Sequence, residues 1–475
     1  MVLNEKERQI GKVNYADALK VSRRQVLTGA IALPTAAAMY WGYDHLKGGP
    51  VKVGLIGTGN QGCNAHISQS NPDFIDIVAF SDIRPSNQAR ARKLFNEKYG
   101  ARGKNVELYE DYHKLLERDD IEMVIVALPL HLHAKVTIEA LQAGKHVLCE
   151  KLMAKTVSQC KEMIRAAKQT NRFLAVGHQR HYSYMYANAL SIIKQGILGD
   201  IRHIRACWHR NQSKHDSWRP GIPAADQKID PKKYDYASIE QLVQWRVDNA
   251  TGGGLMVELG SHQLDAAGIF LGHKRPTAVV GTGVTSFLKW DTFDHVFLNY
   301  EYGADEPHAE NADEPKCSTD NAVVTYSSIS TNGFDGYGEQ VNGSKATMII
   351  DREADAYLFR EGSPKDTRIN WAEARVSKPS AGSGSTTQWA TGVGTADTIT
   401  SRGYREEQEH MAWLIRNIKR PDGTHKPRCD GEVALADAII ALTSNIAMAK
   451  KQRIEFKDAW FDYTKDESPE AEFDV

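Results

Sequence analysis

Cysteine is scarce in this chain and scattered where it occurs. The six residues among 475, Cys63, Cys149, Cys160, Cys207, Cys317 and Cys429, form no C-x-x-C pair and no metal-ligand spacing. Neither a disulfide framework nor a zinc site is indicated, no metal is expected, and the thiols read as small buried hydrophobes. An excess of either charge is also lacking. Lys and Arg number 59 against 60 Asp and Glu, a formal net charge of −1. That balance carries no electrostatic footprint for nucleic acid and no basic face for a membrane surface. The apolar stretch near the N-terminus, Thr28 to Tyr43, is broken by Pro34 and is short for a bilayer span. No internal repeat is visible. What remains, 41% hydrophobic and 25% charged, is ordinary globular composition with room for two domains.

Against that background one stretch stands out, Val51 to Ile67. The apolar run Val51–Ile56 reads as a buried strand, and Gly57-Thr58-Gly59-Asn60-Gln61-Gly62 follows it at the turn into a helix. The spacing is G-x-G-x-x-G, in which each glycine has its own task. Gly57 permits the tight turn, Gly59 clears space for a pyrophosphate, and Gly62 allows close helix–strand packing. The helix N-terminus offers unpaired N–H groups to phosphate. A second apolar run, Ile75–Phe80, ends at Ser81-Asp82, with Ile83 and Arg84 following. Asp82 stands 20 residues after Gly62, where an acid accepts from adenosine ribose hydroxyls. Its carboxylate repels a 2′-phosphate, so NAD is favoured over NADP, although Arg84 lies close enough to bear on that choice.

From Pro50 short apolar runs alternate with helical stretches, the pattern of a parallel sheet with crossover helices. Strands are expected at 51–56, 75–81, 122–127, 146–149 and 173–176, and helices at 60–70, 86–98, 132–143 and 156–170. After about residue 180 longer alternating runs appear at 202–209, 277–285, 295–300, 322–329 and 346–350, the pattern of an antiparallel sheet. Helices return at 404–418 and 431–450. The expected fold class is therefore α/β, an N-terminal Rossmann domain followed by a C-terminal α/β domain with a large, mostly antiparallel open sheet. Boundaries fall at 1–49 for a leader and linker, 50–177 and 178–463 for the two domains, and 464–475 for an acidic tail expected to fray. Segment 304–320 reads as a surface insertion and 380–398 as a Gly/Ser/Thr-rich loop.

Three further stretches carry chemistry. Leu128-Pro129-Leu130-His131-Leu132-His133 leaves a strand at the edge where parallel sheets bind ligands, so Leu128, Pro129 and His133 are candidate cofactor contacts. Glu150-Lys151 ends the next strand at the same edge, where an ammonium steadies a developing alkoxide and Glu150 orients it or meets the cofactor. Gly252-Gly253-Gly254 then feeds a helix in which Glu258, His262 and Asp265 fall at i, i+4 and i+7 on one face. A carboxylate beside an imidazole orients it and supports proton transfer near neutral pH. For substrate, His178 and Arg180 after the last Rossmann strand are candidates, with Trp208, Arg210, Trp218 and Arg219 in a segment rich in aromatics and guanidiniums. Such groups stack on sugar rings and grip hydroxyls or carboxylates. The same segment packed at an oligomer interface is the competing reading.

The order GTGNQG, LPLHLHA, AGKHVLCEK and GGGLMVELGSHQLD resembles the glucose–fructose oxidoreductase / inositol dehydrogenase / rhizopine-catabolism (Gfo/Idh/MocA) family, over roughly Val51 to Lys450. The resemblance implies a bound nicotinamide cofactor and a sugar or polyol substrate. It also implies a C-terminal sheet that often serves assembly, here a homodimer or homotetramer. It makes Lys151 the catalytic lysine, His262 the acid/base and Glu258 the counterpart of a common aspartate. Leu152 replaces the family's proline after the lysine. The implied activity is an NAD-dependent oxidoreductase acting on a sugar CH–OH. The alternative within the same family is an NAD-dependent glycosidase of the α-N-acetylgalactosaminidase kind, working by oxidation, elimination and re-reduction. A third reading is a protein that binds sugar and NAD without turnover.

The N-terminus carries its own likeness. Ser22-Arg23-Arg24-Gln25-Val26-Leu27 ahead of an apolar, alanine-rich stretch resembles a twin-arginine export signal, with Ala36-Ala37-Ala38 a candidate cleavage site. It implies the twin-arginine export machinery as a partner and a periplasmic or otherwise exported location, membrane-anchored if uncleaved. Free NAD is scarce outside the cytoplasm, so an exported protein of this kind is expected to hold its cofactor tightly.

Overall fold

Six short runs, largely buried except for the edge strand β3, make the first sheet: β1 (Val51–Ile56), β2 (Ile75–Ser81), β3 (Glu107–Tyr109), β4 (Met123–Val126), β5 (His146–Cys149) and β6 (Leu174–Val176). All pairs are parallel, in the order β3-β2-β1-β4-β5-β6. The computed structural model describes residues 3–26, 41, 43, 46–303, 322–361 and 401–474. Apolar side chains on both faces explain the continuous hydrophobic runs, since helices cover the sheet on each side. Helices Pro85–Tyr99, His133–Gln142 and Val157–Thr170 are crossovers. The last is capped by Thr156, whose hydroxyl accepts from Gln159 N, and is ended by Asn171 in the left-handed region. Strand order reverses between β1 and β4, which opens a crevice at their carboxyl ends.

The second sheet has eight strands: β7 (Ile201–His209), β8 (Ala278–Val284), β9 (His295–Tyr302), β10 (Ala322–Ile329), β11 (Tyr337–Gly343), β12 (Ala346–Asp351), β13 (Asp355–Arg360) and β14 (Ile454–Glu455). The order is β13-β12-β11-β7-β10-β9-β8-β14, and only β7–β10 is parallel. Buried and open positions alternate along β9 and β10, because helices cover one face and the other is open. Phe297 and Val323 on these strands, and Val280 on the neighbouring β8, stand exposed. Helix Ser261–Phe270 and the largely buried Gly431–Lys450 fill the covered face, the latter also packing on Val157–Thr170 and so joining the domains.

Four strands escape the sequence pattern, and their residues show why. Strand β11, YGEQVNG, is polar and glycine-bearing, yet β7 and β12 hydrogen-bond it on both sides. Strand β3 is three residues long and β14 two. Strand β13 is held at its outer edge by helix Glu5–Val26. Asn14 Nδ2 donates to Leu358 O at 3.1 Å, and Lys12 pairs with Asp355 at 2.7 Å. A Cβ at Gly11 would lie 2.7 Å from the Phe359 ring, so the helix seats closely. Arg23 and Arg24 fall near the end of this helix. The candidate cleavage site at 36–38 and the segments 304–320 and 380–398 lie outside the described residues, apart from the anchors on either side.

The acidic C-terminal stretch does not fray. It ends in helix Pro469–Phe473, capped by Ser468, and Glu470 accepts from Ser158 N at 2.8 Å. The buried Lys161 ammonium draws the carbonyls of Ala459, Lys465 and Glu467 onto itself. Three charge-assisted bonds fix a chain that composition alone leaves free.

Candidate functional site

The glycines after β1 have the steric character expected of them. Gly57 has φ +94°, and a Cβ there would lie 2.3 Å from Ala127 O. At Gly62 a Cβ would strike Gly57 O at 2.1 Å, while at Gly59 it would meet nothing within 4 Å. Gly59 thus faces open space, with Asn60 and Gln61 beside it on the wall of a cavity of about 970 Å³ between the domains. Beyond Gly62 the helix winds as a π-turn, Gly62–Ile67.

At one end the cavity is lined by Asp82, Ile83, Arg84, Asn87 and Arg90. Asp82 is buried; Thr58 N at 2.8 Å, Thr58 Oγ1 at 3.1 Å and Arg84 N at 2.8 Å donate to it. Burial pushes its carboxyl up, against those N–H groups. Thr58 is itself fully buried, so its N–H serves Asp82 and does not face the cavity.

At the other end the wall holds Leu128, Pro129, Glu150, Lys151, Trp218, Trp245, Arg246, Glu258, His262 and Tyr404. Glu150 is fixed from below, its Oε1 2.9 Å from both His66 Nε2 and Gln61 Nε2. Burial works to raise its carboxyl, yet His66, Gln61 and Lys151 hold it below the usual range. Lys151 Nζ donates to Val257 O at 3.1 Å and Glu258 O at 2.9 Å. Burial lowers its pKa, and the Glu258 and Glu150 carboxylates oppose the fall. The Lys151–Leu152 peptide is cis, although residue 152 is leucine.

His262 enters from the second domain. Its Nδ1 is buried without a partner, and its ring lies 5.6 Å from that of Trp208. Burial, reinforced by Lys151 and Arg180, holds its pKa well below the ordinary histidine value, so the ring is neutral at pH 7. A neutral imidazole and a lysine amine therefore share one wall, the kinds of group that remove a hydroxyl proton and stabilise the oxygen left behind.

Several expected contacts do something else. Glu258 does not orient His262: its carboxylate accepts from Arg246 Nε at 2.9 Å. The cause is local, since the chain is π-wound from Met256 to Gly260 and the four-residue repeat of an α-helix does not hold there. Asp265 likewise turns away, taking His181 Nε2 at 2.6 Å. His133 is buried with both ring nitrogens on backbone carbonyls, of Leu152 and Leu128 at 2.8 Å each. It shapes the two turns and does not line the cavity. His178 is fully buried, 3.1 Å from Asp437, and burial lowers it to about 4. Arg180 is buried too, paired with Glu339 and Glu353 at 2.8 Å each, and its Nη1 reaches His262 O at 2.5 Å. It holds the backbone of His262 and does not line the cavity. Trp208 stacks on Tyr337 at 4.4 Å, and the Arg210 guanidinium lies 4.5 Å over Trp218. Arg219 is exposed, reaching the Leu288 and Lys289 carbonyls. Of the six candidate substrate residues, Trp218 alone lines the cavity.

Other residues on the wall carried no usable sequence signal. Tyr404 comes from a helix more than 140 positions after His262. Arg90 lies inside the helix after β2, where its Nη2 reaches back to Thr58 O at 3.0 Å. Helical phase could have placed Arg90 on the turn-facing side; nothing local could have placed Tyr404.

The open space at Gly59, the acid at the end of β2 and the length of the cavity fit a nicotinamide dinucleotide. The profile of the oxidoreductase family, NAD-binding Rossmann fold, matches residues 51–178, and that of the oxidoreductase family, C-terminal alpha/beta domain, matches 191–414. Inositol 2-dehydrogenase/D-chiro-inositol 3-dehydrogenase of Lactiplantibacillus plantarum is 31% identical over 40% of this chain and 54% of its own length. Glycosyl hydrolase family 109 protein 2 of Phocaeicola vulgatus is 26% identical over 35% and 40%, respectively. The chain thus spans about half the length, or less, of these curated relatives. Levoglucosan dehydrogenase, solved with NADH and levoglucosan, superposes with a TM-score of 0.60 at 18% identity, over 86% of this chain and 99% of that one. Both domain profiles lie in sequence on the two domains that enclose the cavity, and the chain belongs to the Gfo/Idh/MocA oxidoreductase family.

Proposed function

We propose that the protein is an NAD-dependent oxidoreductase acting on a CH–OH group of a sugar or sugar derivative, with the cofactor held between its two domains. The observation that carries this reading is Lys151 and His262, from different domains, on one wall of the cavity that begins at Gly59. Gly59, Asn60 and Gln61 would receive the pyrophosphate, Asp82 the ribose, and Leu128, Pro129 and Glu150 the nicotinamide side. Bound NAD would supply the hydride acceptor. The chain's own part is acid–base chemistry: His262, neutral, takes the hydroxyl proton, and the Lys151 ammonium stabilises the oxygen as its carbon becomes a carbonyl. Trp218 and Trp245 offer flat apolar faces to the ring, and Arg246, its Nε on Glu258, offers its remaining donors.

The likeness to a glycosyl hydrolase family 109 protein favours a second reading, transient oxidation followed by loss of an aglycone and re-reduction. One experiment separates the two. Purified protein is offered free sugars, inositols and aryl glycosides while NADH absorbance and aglycone release are followed together. Accumulating NADH supports the dehydrogenase; aglycone without net NADH supports the hydrolase; neither, in wild type and Lys151→Ala alike, removes both.

Export through the twin-arginine machinery and assembly into a homodimer or homotetramer complete the proposal. The Arg23-Arg24 pair supports the first. The exposed Val280, Phe297 and Val323 on the open sheet face support the second. Fractionation of cells expressing the protein with Arg23-Arg24 replaced by Lys-Lys tests export. Sedimentation of Phe297→Glu against wild type tests assembly.

A further inference from the structure

The segment between β7 and Glu258 crosses to the Rossmann domain and meets it beside Asp82. Its turn Ala224–Asp226 inserts a fully buried carboxylate. Asp226 accepts from Arg84 Nε at 2.9 Å, from Ser86 N at 2.9 Å and from Ser86 Oγ at 2.6 Å. Burial works to raise the carboxyl, but Ser86 and Arg84 hold it below the usual range, so it is ionised at neutral pH. Arg84 lies two residues past Asp82 and lines the cavity; it is the cation at hand for a group on the adenosine ribose.

Of the neighbouring cations, Arg90 is held by neutral oxygens and Lys233 and His113 by carboxylates. Arg90 donates to Asn60 Oδ1, Thr58 O and Asn87 Oδ1. Lys233 pairs with Glu110 at 2.7 Å, and His113 with Asp111 at 2.6 Å. Two carboxylates, Asp82 and Asp226, thus flank the Arg84 guanidinium at this end of the cavity. Ribose hydroxyls tolerate that balance, since they donate to carboxylates. A 2′-phosphate brings further negative charge, and Arg84, two residues past Asp82, is already offset by Asp226.

We propose that Asp226, supplied by the second domain, is a determinant of cofactor choice: it fixes and neutralises Arg84, so that NADP finds that cation already committed where NAD presents a hydroxyl. The inference rests on the dinucleotide reading of the cavity. Its test is binding, measured by fluorescence titration of the full-length protein with NADH and with NADPH. Asp226→Asn keeps the shape and removes the charge, and it should shift the affinity ratio toward NADPH by roughly tenfold. Arg84→Ala in the wild-type background should move that ratio less than about twofold, because the charge it removes is already offset. Adding Arg84→Ala to Asp226→Asn should abolish the gain.

An unchanged ratio in folded Asp226→Asn overturns the proposal alone. So does a large loss of NADPH relative to NADH in Arg84→Ala, a result that stands even if the Asp226 variant fails to fold. Wild type that binds neither nucleotide overturns the dinucleotide reading and this inference with it.

Discussion

The two walls of the cavity are built by different means. On the Rossmann side the backbone does the work: Gly57 turns, Gly59 leaves room, Gly62 packs, and all three lie within six consecutive residues. On the second-domain side Trp218, Arg246, His262 and Tyr404 converge from well-separated points in the chain, with a buried ion-pair frame around Arg180 behind His262. The first wall is local and is fixed by sterics. The second is a product of packing, and each of its groups depends on partners that its own neighbourhood in sequence does not contain.

The largest effects should fall on the reacting pair. Lys151→Met and His262→Ala should each slow substrate oxidation by roughly 10²–10⁴-fold while leaving NADH affinity within about threefold. Turnover and NADH titration on the same preparations check this. An equal loss in both would assign these residues to the cofactor wall and dissolve the contrast.

Next comes the frame. Arg180→Met leaves the buried Glu339 with only Tyr186 and Glu353 with only Arg402, so unfolding free energy should fall by about 3–5 kcal/mol. Denaturant titration reads the loss. A drop below 1 kcal/mol would mean that the second wall stands without its ion pairs.

The glycines sharpen the comparison within the first wall. Gly62→Ala drives a methyl into Gly57 O and should destabilise the protein by about 1–3 kcal/mol. Gly59→Ala meets nothing and should cost less than about 0.5 kcal/mol, yet weaken dinucleotide binding, because its methyl occupies the phosphate's space. Similar stability losses at both sites would contradict the assigned roles.

The smallest expected effects are in pH dependence. Glu353 is held at about 2 by Arg180 and Arg402 against the opposing effect of burial. Its folded pKa lies below the unfolded one, so its stabilisation is complete above the ordinary glutamate value and lost as pH falls toward 2. Urea midpoints measured across that window should decline, and more shallowly in Arg402→Met. His262 is depressed well below 6.5, so kcat/KM should stay flat through the ordinary histidine range. Lys151 is lowered from 10.5, so the alkaline fall should begin earlier than for an exposed lysine.

Much of this architecture was written in local patterns. Continuous apolar runs at 51–56, 75–81 and 146–149 became β1, β2 and β5, because strands covered on both faces need apolar residues throughout. Alternation in 295–302 and 322–329 became half-covered strands of the second sheet. Gly57 to Gly62 foretold its own turn, since left-handed φ and close backbone approach are steric requirements of the residues themselves. Lys151 and His262, singled out by their types and flanking turns, both line the cavity.

Only the tertiary structure decided which neighbours those groups would have. The π-turn at 256–260 handed Glu258 to Arg246 instead of His262. Arg180 and His178, polar and beside the last Rossmann strand, went inward because Glu339, Glu353 and Asp437 from remote elements compensate their burial. The polar run 337–343 became a central strand because β7 and β12 claim its backbone. Periodicity and steric limits are properties of adjacent residues, whereas desolvation and charge pairing depend on what the fold brings alongside.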